Sequence, residues 1–225
     1  GTAELRLAPD QTVPIGVTLR VDGPAVSDRG DAVARNLSRL RWLDSTVGSE
    51  PTPTEPFSAV QARDRVIQIL GRELTLGEDG LPAQVTSRFS SANTRIGETA
   101  REILAQPAAF VVETRAGRVS WRHAFGQLRH DALEATWTAH GIAEGLRAEV
   151  SGRLDYSGSG EVRVRLIAER DLDLQDARLE LPFREDVARY FMGLNHQGGR
   201  RPAEVRWKWD VQKRQDCFWL GDVNA

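Results

Sequence analysis

The residues of this chain that could take part in chemistry are concentrated near its end, between Tyr190 and Asn224. This stretch holds three of the six tryptophans, a Gly-Gly-Arg-Arg-Pro sequence that predicts a turn, the single cysteine and four acidic side chains. Aromatic and charged residues around a glycine turn are more typical of a binding surface or a domain interface than of a core strand. The alternative interpretation is that the tryptophans fill the core of a large β-domain.

Three aspartates in this stretch, Asp210, Asp216 and Asp222, raise the question of glycoside cleavage. That reaction commonly uses two carboxyl groups that flank the scissile bond. The separation of the carboxyl groups does not follow from the sequence, and acidic residues on strands and turns are commonly solvated or paired with arginine. We therefore assign no catalytic residue in this chain.

The sequence contains no pattern typical of a metal or cofactor site. The four histidines show neither His-x-x-x-His spacing nor a Cys-x-x-Cys companion. The glycine-containing segment 193–199 lacks the lysine and the strand–loop–helix context of a phosphate loop. The single cysteine, Cys217, excludes an internal disulfide. We expect no metal and no cofactor.

The aromatic and arginine side chains are the better candidates for a functional surface. If 206–211 is extended, Trp207 and Trp209 project from one face of the strand and Lys208 projects from the other. Such indole pairs can stack on sugar rings or can lock two sheets together. The candidate residues for substrate binding or for a domain interface are Arg200, Arg201, Trp207, Trp209, Asp210 and Trp219.

The composition argues against several classes of partner. The chain has 30 basic and 32 acidic residues, a net charge of −2 and no basic block. It therefore lacks the electrostatic footprint of a protein that binds nucleic acid or another polyanion. No run of about 18 apolar residues is present, so we expect no membrane helix. Nearly all basic residues are arginine, which indicates a bacterial genome rich in G and C.

Many short strands must position these side chains. Period-two alternation predicts strands over 2–7 and 13–21, and it predicts a hairpin over 65–89 that turns at 77–80. Glycine, proline, asparagine and aspartate punctuate the strands, and no convincing long helix is present, which predicts an all-β fold. Further strands are predicted at 37–43, 103–114, 118–123, 133–140, 146–156, 161–170 and 174–182.

We expect one large β-sandwich of the supersandwich type, in which two twisted antiparallel sheets pack face to face and few or no helices occur. A single domain would span residues 1–225. The prolines at 51, 53 and 56 favour extended, unpaired chain. We interpret them as a connector within the domain, with a domain boundary as the alternative. The Ser-Gly-Ser-Gly sequence at 157–160 predicts a short turn whose two glycines take positive φ angles.

Four patches of the sequence carry a resemblance to a known family. They are RLRWLDSTVGSE at Arg39–Glu50, ILGRELTLGEDGLP at Ile69–Pro82, LELPFREDVARYFMG at Leu179–Gly193, and YFMGLNHQGGRRPAE, WKWD and FWLGDVNA within Tyr190–Ala225. These patches resemble the N-terminal β-sandwich region of bacterial multidomain glycoside hydrolases of the family 123 type, which are similar to β-N-acetylgalactosaminidases. The resemblance spans most of the chain.

The resemblance implies a larger enzyme in which this sandwich precedes a catalytic (β/α) barrel. In that family the barrel carries an adjacent Asp-Glu pair that assists hydrolysis of N-acetylhexosaminides through the acetamido group of the substrate. This chain lacks that motif, so no catalytic residue is carried over to it. The resemblance also implies that the parent enzyme is secreted or periplasmic in a bacterium.

The implied function is that of a non-catalytic domain that supports the barrel and can line the carbohydrate cleft. Its partners would be the downstream catalytic domain and, through the parent enzyme, carbohydrate. Nucleic acid and membrane are not expected as partners. Two alternatives remain open. One is an autonomous carbohydrate-binding, lectin-like module, and the other is a protein-interaction sandwich that does not contact sugar.

A single core predicts one cooperative thermal transition for the whole chain. Differential scanning calorimetry should show one peak whose calorimetric and van't Hoff enthalpies agree. A reductant should leave that peak unchanged, because Cys217 has no partner for a disulfide within the chain. Two separated transitions would contradict the single domain and would favour a boundary near 51–56.

Overall fold

A computed structural model of the chain describes residues 2–8, 11–16, 18, 20, 22–24, 46, 48–90, 92–207, 212 and 217–222. Backbone contacts divide the chain into two compact units, Gly1–Glu50 and Pro51–Ala225. The division falls at the start of the proline-rich connector. The single domain over residues 1–225 stays a prediction that calorimetry can test.

The described residues form strands joined by turns and irregular segments, with no helix among them. None of the described segments is therefore a helix able to cross a membrane. The strands are β1 (Thr2–Ala8), β2 (Gln11–Gly16), β3 (Gln61–Arg63), β4 (Val66–Ile69), β5 (Arg72–Leu76), β6 (Pro82–Phe89), β7 (Ile96–Glu102), β8 (Ala109–Thr114), β9 (Gly117–Arg118), β10 (Arg122–His130), β11 (Glu134–Ala143), β12 (Leu146–Asp155), β13 (Gly160–Ala168), β14 (Leu174–Glu180), β15 (Tyr190–Gly193), β16 (His196–Arg200) and β17 (Phe218–Gly221).

The first unit contains one described hairpin. Strands β1 and β2 pair antiparallel, with Leu5 opposite Val13. This confirms the hairpin that alternation predicts at the start of the chain, although β2 begins at Gln11 and ends at Gly16. The strand predicted at 37–43 lies outside the described residues.

Two antiparallel meanders dominate the second unit. One sheet has the order β3-β4-β5-β6-β7, and the other has the order β10-β11-β12-β13. The predicted hairpin over 65–89 is confirmed, because β5 pairs with β6 across a turn that Gly80 closes at a φ of 75°. At the predicted turn 157–160 only one glycine takes a positive φ: Gly158 has a φ of 92°, whereas Gly160 opens β13 as a strand residue.

The core of the second unit lies between these two meanders. Residues along β11 alternate between buried and exposed, as a strand with one buried face requires. Side chains from both sheets meet in one apolar cluster, so the sheets pack face to face. The predicted all-β, sandwich-like fold is confirmed. The buried members of the cluster are Val60, Ile67, Ile69, Leu76, Ala135, Trp137 and Leu154.

Two three-stranded sheets complete the second unit. One has the order β14-β8-β9 and the other β16-β15-β17. In β8 the neighbouring side chains Val111 and Val112 are both buried, so this short strand is covered on both faces. The sequence analysis predicts two large sheets, and the described strands of the second unit are instead hydrogen-bonded into four smaller sheets within the sandwich-like fold.

Trp137 is the central aromatic side chain of the core. It is 2% exposed, and its Nε1–H donates to the carbonyl of Gly80 at 2.8 Å, which joins the two meanders. Its ring lies directly against Gly152, the residue opposite it on β12. A Cβ atom at Gly152 would lie 2.1 Å from Trp137 Cε2, so only glycine leaves room for the indole.

Replacing Gly152 with alanine should therefore force the core apart. We expect Gly152→Ala to lower the free energy of unfolding by about 1–3 kcal/mol, the usual cost of overpacking a core. Urea denaturation followed by tryptophan fluorescence measures this loss.

A strand glycine with free space provides the matched control. At Gly97 on β7 an added Cβ would meet only the Arg88 carbonyl, at 3.8 Å. We expect Gly97→Ala to stay within about 0.5 kcal/mol of the starting protein. Equal losses in the two variants would contradict the packing of Trp137 on Gly152.

Candidate functional site

The sheet β16-β15-β17 brings two of the predicted site residues to one face. Arg200 lies opposite Tyr190, and Trp219 lies opposite Met192. Tyr190 and Met192 are two residues apart on β15, so all four side chains project from the same side of the sheet. Adjacent strands are about 4.8 Å apart, which puts Arg200 and Trp219 on edge strands about 10 Å apart. We call these four residues the aromatic face.

The aromatic face is open. Met192 is 52% exposed and Trp219 is 43% exposed. Gly198 adds no side chain beside Met192, and the Trp219 ring lies over Gly221, where an added Cβ would approach it to 3.1 Å. Scattered exposed apolar residues are ordinary, but two large ones on neighbouring strands form a patch suited to a partner or a ligand.

The hairpin that carries Arg200 is built differently from the sequence prediction. The Gly-Gly-Arg-Arg-Pro sequence does not form the turn, because Gly198, Gly199 and Arg200 belong to β16. The chain instead reverses at Leu194 and Asn195, which have φ angles of 49° and 68°. Positive φ at both central residues is typical of the type I′ turn that suits a two-residue hairpin loop. The prediction of a turn at 198–202 is therefore wrong.

A groove of about 830 Å³ contains Arg200 in its wall and so adjoins the aromatic face. We call it the arginine groove. It runs beside the turn that follows Phe183, where the backbone N–H groups of Val187 and Ala188 both donate to the Arg184 carbonyl. Its lining residues are Ala105, Arg184, Glu185, Asp186, Ala188, Arg189, Arg200 and Arg201.

The two predicted arginines differ in how the fold holds them. Arg201 is fixed, because its Nε–H donates to the Ala188 carbonyl at 2.8 Å and its Nη1–H donates to the Pro202 carbonyl at 3.3 Å. Arg200 is exposed, and the described residues include no ion-pair partner for its guanidinium group. One cation of the groove is thus held in place and the other is available.

Asp222, one of the aspartates considered for catalysis, is buried and paired with two arginines. It is 5% exposed, the one buried charged residue among those the structure describes. Arg189 Nη2 donates to Asp222 Oδ1 at 2.5 Å, and Arg101 Nη1 lies 3.7 Å from Oδ2. This hydrogen bond to Asp222 raises the pKa of the Arg189 guanidinium group. The carboxylate is therefore committed to ion pairing.

The same Arg101 side chain also contacts the turn that follows Phe183, beside the groove. Its Nη2 donates to the Asp186 carbonyl oxygen at 2.6 Å and lies 3.5 Å from the Asp186 carboxylate. Because Asp222 follows β17, Arg189 precedes β15 and Arg101 belongs to β7, these contacts join the three-stranded sheet to the five-stranded meander. We call Asp222, Arg189 and Arg101 the carboxylate clamp.

The groove lining contains two carboxyl groups, those of Glu185 and Asp186. Burial would raise the pKa of Asp186, but the charges of Arg184 and Arg101 outweigh burial and lower that pKa below its ordinary value. Asp186 is therefore ionised near neutral pH, and its carboxylate is held in ion pairs with Arg184 and Arg101. Glu185 is the other carboxyl group in the lining, and we assign no catalytic pair to these two residues.

The remaining predicted site residues are only partly described. Trp207 is 37% exposed. Trp209 and Asp210 lie outside the described residues, so the predicted Trp207–Trp209 pair stays a prediction. No group of three or more His, Cys, Asp or Glu side chains that could hold a metal ion occurs in the part of the chain that the structure describes.

Several residues of the site were not found from the sequence. Tyr190 and Met192 lie between the predicted Arg200 and Trp219, and Arg184 and Arg189 line the groove. The available signal was the alternation of large side chains at Tyr190 and Met192 in the stretch already selected. Arg184 and Arg189 lie 16 and 11 positions before Arg200, so the sequence does not group them with it.

Comparison with known proteins identifies one family. The family described as "Glycoside hydrolase 123, third domain" matches residues 60–225, which cover nearly all of the second unit, including the aromatic face, the arginine groove and the carboxylate clamp. The description names a third domain, whereas the sequence resemblance is to the N-terminal β-sandwich region of the same enzyme type. No curated protein and no solved structure matches the chain.

Removing the charge of Asp222 should weaken the carboxylate clamp. We expect Asp222→Asn to lower the free energy of unfolding by about 2 kcal/mol, less than the loss of a fully buried pair, because both arginines are partly exposed. Chemical denaturation at neutral pH measures the change.

The control is Asp173→Asn, which breaks the exposed ion pair between Asp173 and Arg115, 2.7 Å apart. Exposed pairs contribute little, so we expect no measurable change in the midpoint of denaturation. Asp222→Asn and Asp173→Asn variants of equal stability would show that the clamp does not hold the site.

Proposed function

The chain belongs to the glycoside hydrolase 123 third-domain family, and on that premise we propose that it is a non-catalytic β-sandwich domain that supports the catalytic barrel of a glycoside hydrolase. The observation that carries the proposal is the aromatic face, on which Met192 and Trp219 are about half exposed beside Arg200. Tryptophan, methionine and arginine are enriched at the centres of protein interfaces.

The aromatic face has the rigidity that a docking surface needs. Its strands are tied to the larger meander through the carboxylate clamp, because Arg189 lies directly before Tyr190 and Asp222 lies directly after Gly221. A preformed surface loses little conformational entropy when a partner binds. A sibling domain of the same enzyme is the partner that the family description favours.

The arginine groove would then lie at the rim of the docked surface. Because Arg200 belongs to both the face and the groove, a barrel seated on the face would leave the groove beside the junction of the two domains. Ligand sites occur preferentially at such junctions. In that arrangement the groove would line part of the carbohydrate cleft, and the barrel would supply the chemistry.

An autonomous carbohydrate-binding module is the second candidate function. The observation in its favour is the exposure of Trp219, which is 43% exposed and whose ring lies over Gly221, a residue without a side chain. An exposed indole can stack on the apolar side of a pyranose ring. In this case the isolated chain would bind neutral oligosaccharides through Trp219 with no other domain present.

The two functions predict different effects of the exposed residues Met192 and Trp219 on stability in the isolated chain and in the full-length enzyme. We expect Met192→Ala and Trp219→Ala to change the stability of the isolated chain little, since both side chains are already exposed there. In the full-length hydrolase we expect each variant to lose about 1.5–3 kcal/mol more, the value of burying side chains of this size. Thermal or chemical denaturation of both forms gives the difference.

Leu179→Ala is the matched control, because Leu179 is 51% exposed on β14, in a different sheet. It should behave alike in the isolated chain and in the full-length enzyme. Losses for Met192→Ala and Trp219→Ala that are equal in the two forms would contradict docking. If Trp219→Ala then abolished the binding of a neutral oligosaccharide to the isolated chain, the autonomous module would be the correct function.

A further inference from the structure

The arginine groove has positive charge that its internal ion pairs do not neutralise. Arg184 Nε lies 3.2 Å from Asp186 Oδ1, and Arg189 is paired with Asp222. These two pairs leave the guanidinium groups of Arg200 and Arg201 in the lining, with Glu185 as the remaining carboxylate. The groove therefore carries a local excess of positive charge, although the chain as a whole has a net charge of −2.

Hydrogen bonds within the fold fix the walls of the groove before a ligand binds. The two carbonyl contacts of Arg201 fix its guanidinium group, and its backbone N–H donates to the Arg189 carbonyl at 2.9 Å. Arg101 holds the opposite turn through the Asp186 carbonyl. The groove is thus formed before a ligand arrives, which lowers the entropic cost of binding.

We infer that the arginine groove binds the anionic substituent of an acidic saccharide, a carboxylate or a sulfate ester, through Arg200 and Arg201. This rests on the proposed function, which makes carbohydrate the substrate of the parent enzyme. The planar, forked guanidinium group matches the geometry of two oxygens on one acidic group and forms charge-assisted hydrogen bonds to them. The Glu185 carboxylate can accept hydrogen bonds from neighbouring sugar hydroxyl groups.

The size of the groove and its charge favour a saccharide over a polyanion. A volume of about 830 Å³ is within the range of sites for small ligands. Nucleic acids require a long basic surface, whereas the groove has two uncompensated guanidinium groups and an acid among its lining residues. A ligand with one acidic group and several hydroxyl groups fits this arrangement of charges.

Titration calorimetry of the 225-residue chain tests the inference. The probes are a galactose trimer in which one residue is replaced by galacturonic acid, a galactose trimer with one sulfate ester and, as the neutral control, an unsubstituted galactose trimer. We expect at least one acidic trimer to bind about tenfold more tightly than the neutral trimer, because charge-assisted hydrogen bonds to arginine are among the strongest available. The affinity should fall as the salt concentration rises.

Three variants locate the site. Arg200→Met should lower the affinity for the acidic trimer about fivefold or more, because the forked hydrogen bonds of the guanidinium group are lost. Glu185→Gln should raise the affinity for the acidic trimer about twofold, because a negative charge that repels the ligand is removed. Arg163→Met is the matched control, since Arg163 lies on β13 in a different sheet from Arg200, is not part of the groove lining and pairs with Glu161 at 2.9 Å. It should leave the affinity unchanged, and circular dichroism should show that all variants are folded.

Acidic trimers that bind no better than the neutral trimer would overturn the inference. An equal loss from Arg163→Met and Arg200→Met would also overturn it, because the binding would then be non-specific. A weaker affinity after Glu185→Gln would contradict electrostatic attraction as the basis of binding.

Failure of the inference can be separated from failure of the proposed function. If acidic trimers do not bind but Met192→Ala and Trp219→Ala still lose stability only in the full-length hydrolase, docking stands and the groove has no anionic ligand.

Discussion

The buried carboxylate of Asp222 is the interaction on which the functional surface depends. A carboxylate with almost no exposure is stable only when it is paired and hydrogen-bonded, so its burial fixes the guanidinium groups of Arg189 and Arg101. These residues belong to the segments that flank the three-stranded sheet and to β7 of the five-stranded meander. The aromatic face and the arginine groove consequently have a fixed geometry within the second unit.

The core and the proposed docking surface lie in different sheets of the second unit. Between the large meanders, the Trp137 ring packs against Gly152 and its Nε1–H donates to the Gly80 carbonyl, and neither contact involves the sheet β16-β15-β17. That sheet keeps apolar side chains exposed on Met192 and Trp219, where they add little to the stability of the unit itself. Such an arrangement is expected for a domain whose surface acts only in the complete enzyme, and it agrees with the family to which the chain belongs.

The sequence allowed the central strands to be predicted because one of their faces is buried. Strands β11 and β12 follow the alternation closely, whereas β7 was missed because nearly all its side chains are exposed and carry no period-two signal. Arg200 and Trp219 could be selected from residue type. Their common face could not, because it depends on the pairing of both edge strands with β15, which is a non-local property. The two glycines before Arg200 suggested a turn, but the reversal occurs earlier, where Asn195 tolerates a positive φ.

Hydrogen–deuterium exchange in the full-length hydrolase and in the isolated chain tests the docking of the aromatic face most directly. Strands β16 and β17 are the edges of their sheet as far as the described residues show, and a seated domain would cover their outer backbone amides. Docking predicts that peptides from β15 to β17 exchange about tenfold more slowly in the full-length enzyme, while peptides from β14 exchange at the same rate in both forms. Identical exchange of β15 to β17 in the two forms would contradict a supporting role for this surface.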